Sequence, residues 1–221
     1  MLYRVTRGLL APLSRLVYRP VVEGRHHVPR HGPVILASNH LAFVDSVVIP
    51  LVAPRPVVFL AKAEYFTGHG VRGRLRAWWF RALGAVPVQR GANRAARSAL
   101  DTALAVLRRG DAFGIYPEGT RSRDGRLYRG RTGVGWLALT AGVPVVPVAL
   151  VGTDQIQPPG ARLPRIRRVT VRFGAPLDLA TRHAHLPPAA ARRAVTDEVM
   201  RAIEDLSGQV RAPGYNEAPA A

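Results

Sequence analysis

The stretch "NHLAFVD" at 39–45 sets a histidine and an aspartate five positions apart inside an otherwise apolar run. On a regular helix such residues point about 140° apart, so His40 and Asp45 cannot share one face in mid-helix. They meet if His40 lies in a turn and Asp45 in the first turn of the helix that follows, with Ser38 or Asn39 capping the helix start. An aspartate bonded to one imidazole nitrogen fixes the tautomer and supports the charge formed when the other nitrogen takes a proton. That is a general base. In isolation the same spacing also describes a turn histidine followed by a carboxylate at the helix dipole, so the neighbours must decide.

A second polar cluster follows another apolar run. In "YPEGTRS" (116–122) Gly119 permits a sharp turn between Glu118 and the group Thr120, Arg121 and Ser122. Arg121 can grip a phosphate through two donors at once, and Arg90, closing "GAVPVQR", supplies a second guanidinium at a strand end. Two arginines, a carboxylate and hydroxyls suit a small polar group that carries both phosphate and hydroxyl. Glu118 beside those arginines implies either that the ligand offers hydroxyls or that the arginines need holding in place.

Other chemistries are poorly supplied. The absence of cysteine removes thiolate nucleophiles, thiolate metal sites and disulfides together. There is no Gly-x-Ser-x-Gly elbow and no phosphate-binding loop ending in Gly-Lys. "GVGWLA" (133–138) formally fits a dinucleotide fingerprint, with Asp154 at a suitable distance, but no apolar strand precedes it. His26, His27, His31 and His69 show no spacing that completes a metal site, so neither metal nor cofactor is expected. A histidine base without a covalent nucleophile points to direct transfer between two bound substrates.

The elements that must position these residues alternate. Short apolar runs at 32–40, 56–61, within 84–91 before a basic turn, from 112 into a polar turn, at 143–152 and at 169–173 read as strands. Helical patterns lie between them and from 188 to 206, and the pattern from Asn93 ends at Gly110. The expected fold is a single α/β domain with a mostly parallel or mixed sheet flanked by helices, sites lying at strand ends. Its divisions are an amphipathic helix at 1–19, a catalytic domain at 20–207 and a flexible tail at 208–221. In the first of these Leu2, Val5, Leu9, Leu13 and Leu16 form one face, and Arg4, Arg7, Arg15 and Arg19 the other. That face suits an anionic membrane surface, and it suits packing on the domain itself. The net charge of +18, almost all arginine, attracts anions of many kinds. Nucleic acid is not expected as a partner, because the arginines are scattered and interleaved aromatics are few.

Taken together, "NHLAFVD", "GAVPVQR", "YPEGTRS" and "VPVVPVAL" make the chain resemble the glycerolipid acyltransferases typified by 1-acylglycerol-3-phosphate acyltransferase, from about Pro20 to Leu206. The resemblance implies that His40 is the base for the acceptor hydroxyl and that Asp45 orients it. It implies that Glu118, Gly119 and Arg121 bind the glycerol-phosphate part of a lysophospholipid acceptor, with Arg90 on the phosphate. Lys62 is added as a nearby cation, and Pro147 as part of an apolar wall for the acyl chain. The donor would be acyl-coenzyme A or an acyl carrier protein, and attachment would be peripheral, at the cytoplasmic face of the cell membrane. Trp78, Trp79 and Phe80 would aid attachment or sit in the core. Rival readings are the same chemistry on a lyso-ornithine lipid, a glycolipid or glycerol 3-phosphate, and a non-catalytic basic binding module.

Overall fold

The computed structural model describes residues 8, 12, 14, 16–88, 93–156, 158 and 165–217. Seven strands form one sheet in the order β1-β7-β6-β2-β5-β3-β4. They are β1 (Val21–Glu23), β2 (Val34–Ser38), β3 (Val57–Lys62), β4 (Ala85–Val88), β5 (Ala112–Ile115), β6 (Val145–Val151) and β7 (Thr170–Phe173). The central strands β6, β2, β5, β3 and β4 run parallel, while β7 pairs antiparallel with β6 and carries β1 beside it. Every residue of β2 is buried, as expected of a strand covered on both faces.

The helices are α1 (Asp45–Val52), α2 (Gly70–Ala82), α3 (Asn93–Arg108), α4 (Gly133–Ala141), α5 (Thr153–Ile156), α6 (Leu179–Arg182) and α7 (Pro188–Ser207). Period-two alternation sorts the strand residues between two apolar layers. Ile35, Ala37, Phe113 and Val145 pack with α3, α4 and α7, whereas Leu36, Phe59, Val146 and Val148 pack with α1. The glycines of "GVGWLA" belong to this packing rather than to a nucleotide. They lie in α4, and a Cβ on Gly135 would stand 2.2 Å from the Arg192 carbonyl oxygen of α7.

Two expectations change, and one falls mostly outside the described residues. The short edge strand β1 was not among the apolar runs, because only three residues pair and two are exposed. Most of the amphipathic segment 1–19 lies outside the described residues; 16–18 are helical, with Leu16 exposed and Val17 and Tyr18 half-buried. Residues 208–217 are tied down rather than loose. Leu127 donates its amide to the Val210 carbonyl and accepts from the Ala212 amide, and Arg129 donates to the Gly214 carbonyl.

Candidate active site

The site lies at the C-terminal ends of β2 and β5. Beyond Ser38, the Asn39 side chain continues the ladder toward β6. Its Nδ2 donates to the Leu150 carbonyl at 2.9 Å and its Oδ1 accepts the Leu150 amide at 2.8 Å. Nδ2 also donates to Gln209 Oε1 at 2.7 Å, so the buried amide is engaged on both sides. The turn holding His40 therefore leaves the sheet from a fixed point.

Asp45 opens α1 and is fully buried. Its Oδ2 accepts His40 Nδ1 at 2.8 Å, the Leu41 amide at 2.7 Å and the Ala42 amide at 2.8 Å. One oxygen thus fixes both the imidazole and the backbone of the turn that carries it. Neither Ser38 nor Asn39 caps the helix, since α1 begins with no side-chain cap bond and the Ser38 hydroxyl points to the Asn39 carbonyl. With Nδ1 engaged by the Asp45 carboxyl, Nε2 is the ring nitrogen left to accept a proton.

The peptide of His40 is held from both sides by the second cluster. Its amide donates to Glu118 Oε1 at 3.1 Å, and its carbonyl accepts the Ser122 amide at 2.7 Å. Glu118 Oε2 accepts the Tyr128 amide at 2.9 Å, and the residue has no exposed surface. Burial pushes its carboxyl from 4.5 up to about 7, against the pull of those two amides. Glu118 is therefore not presented to a ligand: its carboxylate joins two loops. Ser122 is likewise buried, its hydroxyl donating to Asp124. Gly119 adopts φ +80°, and a Cβ there would meet the Arg131 side chain at 3.1 Å. Thr120 is half-buried, and Arg121 is exposed and lines a cavity of about 140 Å³ together with His40.

The remaining candidates divide. Lys62 ends β3 beside Val88 of β4, so its backbone lies at the correct sheet end. Arg90 lies outside the described residues. Pro147 pairs with Ala37 and shares its sheet face with Val145, the side covered by α7 and away from the His40 cavity. Gly174 packs against it there. The proposed apolar wall is formed instead by Phe43, Phe59, Trp79 and Phe80 around the His40 cavity. Phe43, Val47 and Trp79 also border a second, larger cavity of about 490 Å³ lined by Tyr18, Val48, Leu51 and Ile156.

One residue with a bearing on the base went unread. The Tyr116 ring stacks on His40 with centroids 3.9 Å apart and planes within 9°, and its hydroxyl pairs with Ser46 Oγ at 3.1 Å. Burial holds its phenol well above the ordinary range. Strand alternation carries the signal: Phe113 and Ile115 face the α3 layer, so Tyr116 must face the His40 side.

A model of the acyltransferase family matches residues 19–151. The chain belongs to that family. It is 31% identical over 145 residues to the chloroplastic 1-acyl-sn-glycerol-3-phosphate acyltransferase BAT2 of Brassica napus, covering 65% of this chain and 40% of that one. It is 27% identical over 191 residues to the 1-acyl-sn-glycerol-3-phosphate acyltransferase of Bacillus subtilis, covering 86% of this chain and 88% of that protein. The crystal structure of the 1-acyl-sn-glycerophosphate acyltransferase PlsC from Thermotoga maritima superposes with a TM-score of 0.71 at 28% identity, covering 92% of this chain and 79% of that one. The seven-stranded sheet is thus a PlsC-like fold, and this chain spans less than half the length of the Brassica napus relative.

Proposed function

We propose that this protein transfers a fatty acyl group from an acyl thioester, acyl-coenzyme A or acyl carrier protein, to the free hydroxyl of 1-acylglycerol 3-phosphate, giving phosphatidic acid. His40 Nε2 removes the hydroxyl proton while Asp45 stabilises the resulting imidazolium. The acceptor oxygen attacks the thioester carbon, the C–S bond breaks, and the departing sulfur recovers the proton from His40. The products are an ester and a thiol, and no covalent acyl-enzyme is formed. Arg121 takes the acceptor phosphate, joined by Arg90 and Lys62, while Phe43, Trp79 and the larger apolar cavity receive acyl chain and keep water from the thioester. The reaction belongs at the cytoplasmic face of the cell membrane, where both lipids reside.

The observation that carries this reading is the pair of hydrogen bonds from the 118–122 loop to the His40 peptide, through the Glu118 carboxylate and the Ser122 amide. It brings the base and an exposed arginine to one cavity. The test is incubation of the purified protein with lysophosphatidic acid and a labelled acyl thioester. Labelled phosphatidic acid is expected, with none from His40→Ala. Transfer by His40→Ala at the parent rate would remove the mechanism.

A further inference from the structure

Three large apolar side chains of α2 face outward: Val71 is 82% exposed, Leu75 63% and Trp78 44%. Spacings of four and three residues bring them within an arc of about 60° on the helix. The opposite side, Gly73, Ala77 and Phe80, is buried. Arg72 and Arg76 flank the stripe on one side, Arg74 and Arg81 on the other, and all four are exposed. The helix contains no acidic residue, and among the described residues no carboxylate forms an ion pair with these arginines. Arg76 donates to the Glu64 carbonyl and Arg81 lies over the Phe66 ring, which keeps those two side chains close to the protein surface.

An apolar stripe between two cationic edges is complementary to a surface that is apolar below and anionic above. We propose that α2 is the face by which the catalytic domain docks on an anionic phospholipid bilayer. Val71, Leu75 and Trp78 enter the headgroup–acyl boundary and the flanking arginines meet lipid phosphates. The placement has a purpose in the fold. Trp79, about 100° round the helix from Trp78, borders the His40 cavity, as does Phe80. Stacking of Phe80 on Tyr65, with ring centroids 4.6 Å apart, seats the helix beside that cavity. Docking through α2 therefore brings the cavity next to the leaflet, so that a lipid acceptor reaches His40 with little exposure of its chain to water. Choosing the bilayer over an acidic carrier protein rests on the lipid-acceptor reading above.

The test is co-sedimentation of the full chain with vesicles of phosphatidylcholine containing phosphatidylglycerol, and with vesicles of phosphatidylcholine alone. The variant Val71→Ser/Leu75→Ser/Trp78→Ser changes only exposed positions, and its thermal unfolding checks that the fold is kept. Its partition onto the anionic vesicles is expected to fall by about tenfold or more. Transfer to a short-chain, monomeric lysophosphatidic acid should remain near the parent rate. Arg72→Gln/Arg74→Gln should remove most of the preference for anionic over neutral vesicles. Parent-like vesicle binding by the triple variant would overturn the proposal. So would loss of binding to acyl carrier protein with vesicle binding intact. Vesicle binding is scored without acyl transfer, so a parent protein that binds vesicles but transfers nothing would refute the proposed reaction and leave the docking face standing.

Discussion

The two halves of the site are built differently. Around His40, Asn39, Asp45 and Glu118 are buried and bonded to backbone groups, and the imidazole is fixed through Nδ1. On the other side Arg121 is exposed at the cavity wall, and the described structure gives its guanidinium no carboxylate. A base must be aimed before substrate arrives, because misplacement by an ångström costs rate steeply. A guanidinium that meets a phosphate can be organised by the phosphate itself. On the proposed reaction, the rigid side is the one that transfers the proton and the loose side the one that meets the anion.

The largest effect should come from the rigid half. His40→Ala is expected to lower kcat by about 10³-fold or more, with thermal unfolding near that of the parent, because it removes the base and little packing. An equal loss of stability would mean that the histidine is structural. Glu118→Gln comes next. A glutamine accepts one amide but turns its own N–H groups toward the other, weakening one tether of the turn by about 1–3 kcal/mol. The expected loss, about 10–100-fold, should appear in kcat more than in KM for the acceptor. A pure KM effect would return Glu118 to the ligand.

Glu118 also sets a pH dependence. Its carboxyl titrates near 7 in the folded protein against 4.5 ordinarily. The folded chain thus holds more protons than the unfolded chain between those values, so stability falls as pH rises across that window and the penalty is complete above about 7. Activity should move the opposite way, since the protonated acid places an O–H against an amide donor. Denaturant unfolding of the parent and of Glu118→Gln from pH 4.5 to 8 checks this, and an unchanged slope in the variant would exclude Glu118 as its source.

The exposed half should respond in binding. Arg121→Ala is expected to raise the acceptor KM by about tenfold, the worth of a charge-assisted contact, with kcat little altered. A change confined to the donor KM would place the donor at Arg121. The smallest effect returns to the rigid half. Tyr116→Leu removes the ring stacked on His40 and should cost a few-fold in kcat, whereas Tyr116→Phe should restore it. Equal losses in the two variants would assign the effect to the Ser46 hydrogen bond instead.

Much of this was readable from residue order. Six of the seven strands announced themselves as apolar runs, and β2 and β6, buried on both faces, had the clearest patterns. The meeting of His40 and Asp45 required only a turn followed by a helix start. Direction was harder. Residue type made Glu118 a ligand-binding candidate, but only coordinates place its carboxylate on the amides of His40 and Tyr128. Pro147 was assigned to a wall on the wrong sheet face, although its parity with Val145 and its register with Ala37 set the side. The antiparallel β7 and the added β1 depend on pairing partners that no local pattern names. Residues 208–217 are rich in glycine, proline and polar groups and so look loose, yet their bonds go to the loop around Leu127.

That C-terminal segment has a consequence for biosynthesis. Gln209 bonds Asn39, 170 residues earlier, and Asn216 donates to the Arg121 carbonyl, 95 residues earlier. Such distant pairings form late, because the loops they close are long. The turn and the arginine loop leave the ribosome well before the residues that brace them. A nascent chain halted after α7 would carry His40, Asp45 and Arg121 and still lack these braces, so the turn and the arginine loop are expected to settle only once residues 208–217 have been made.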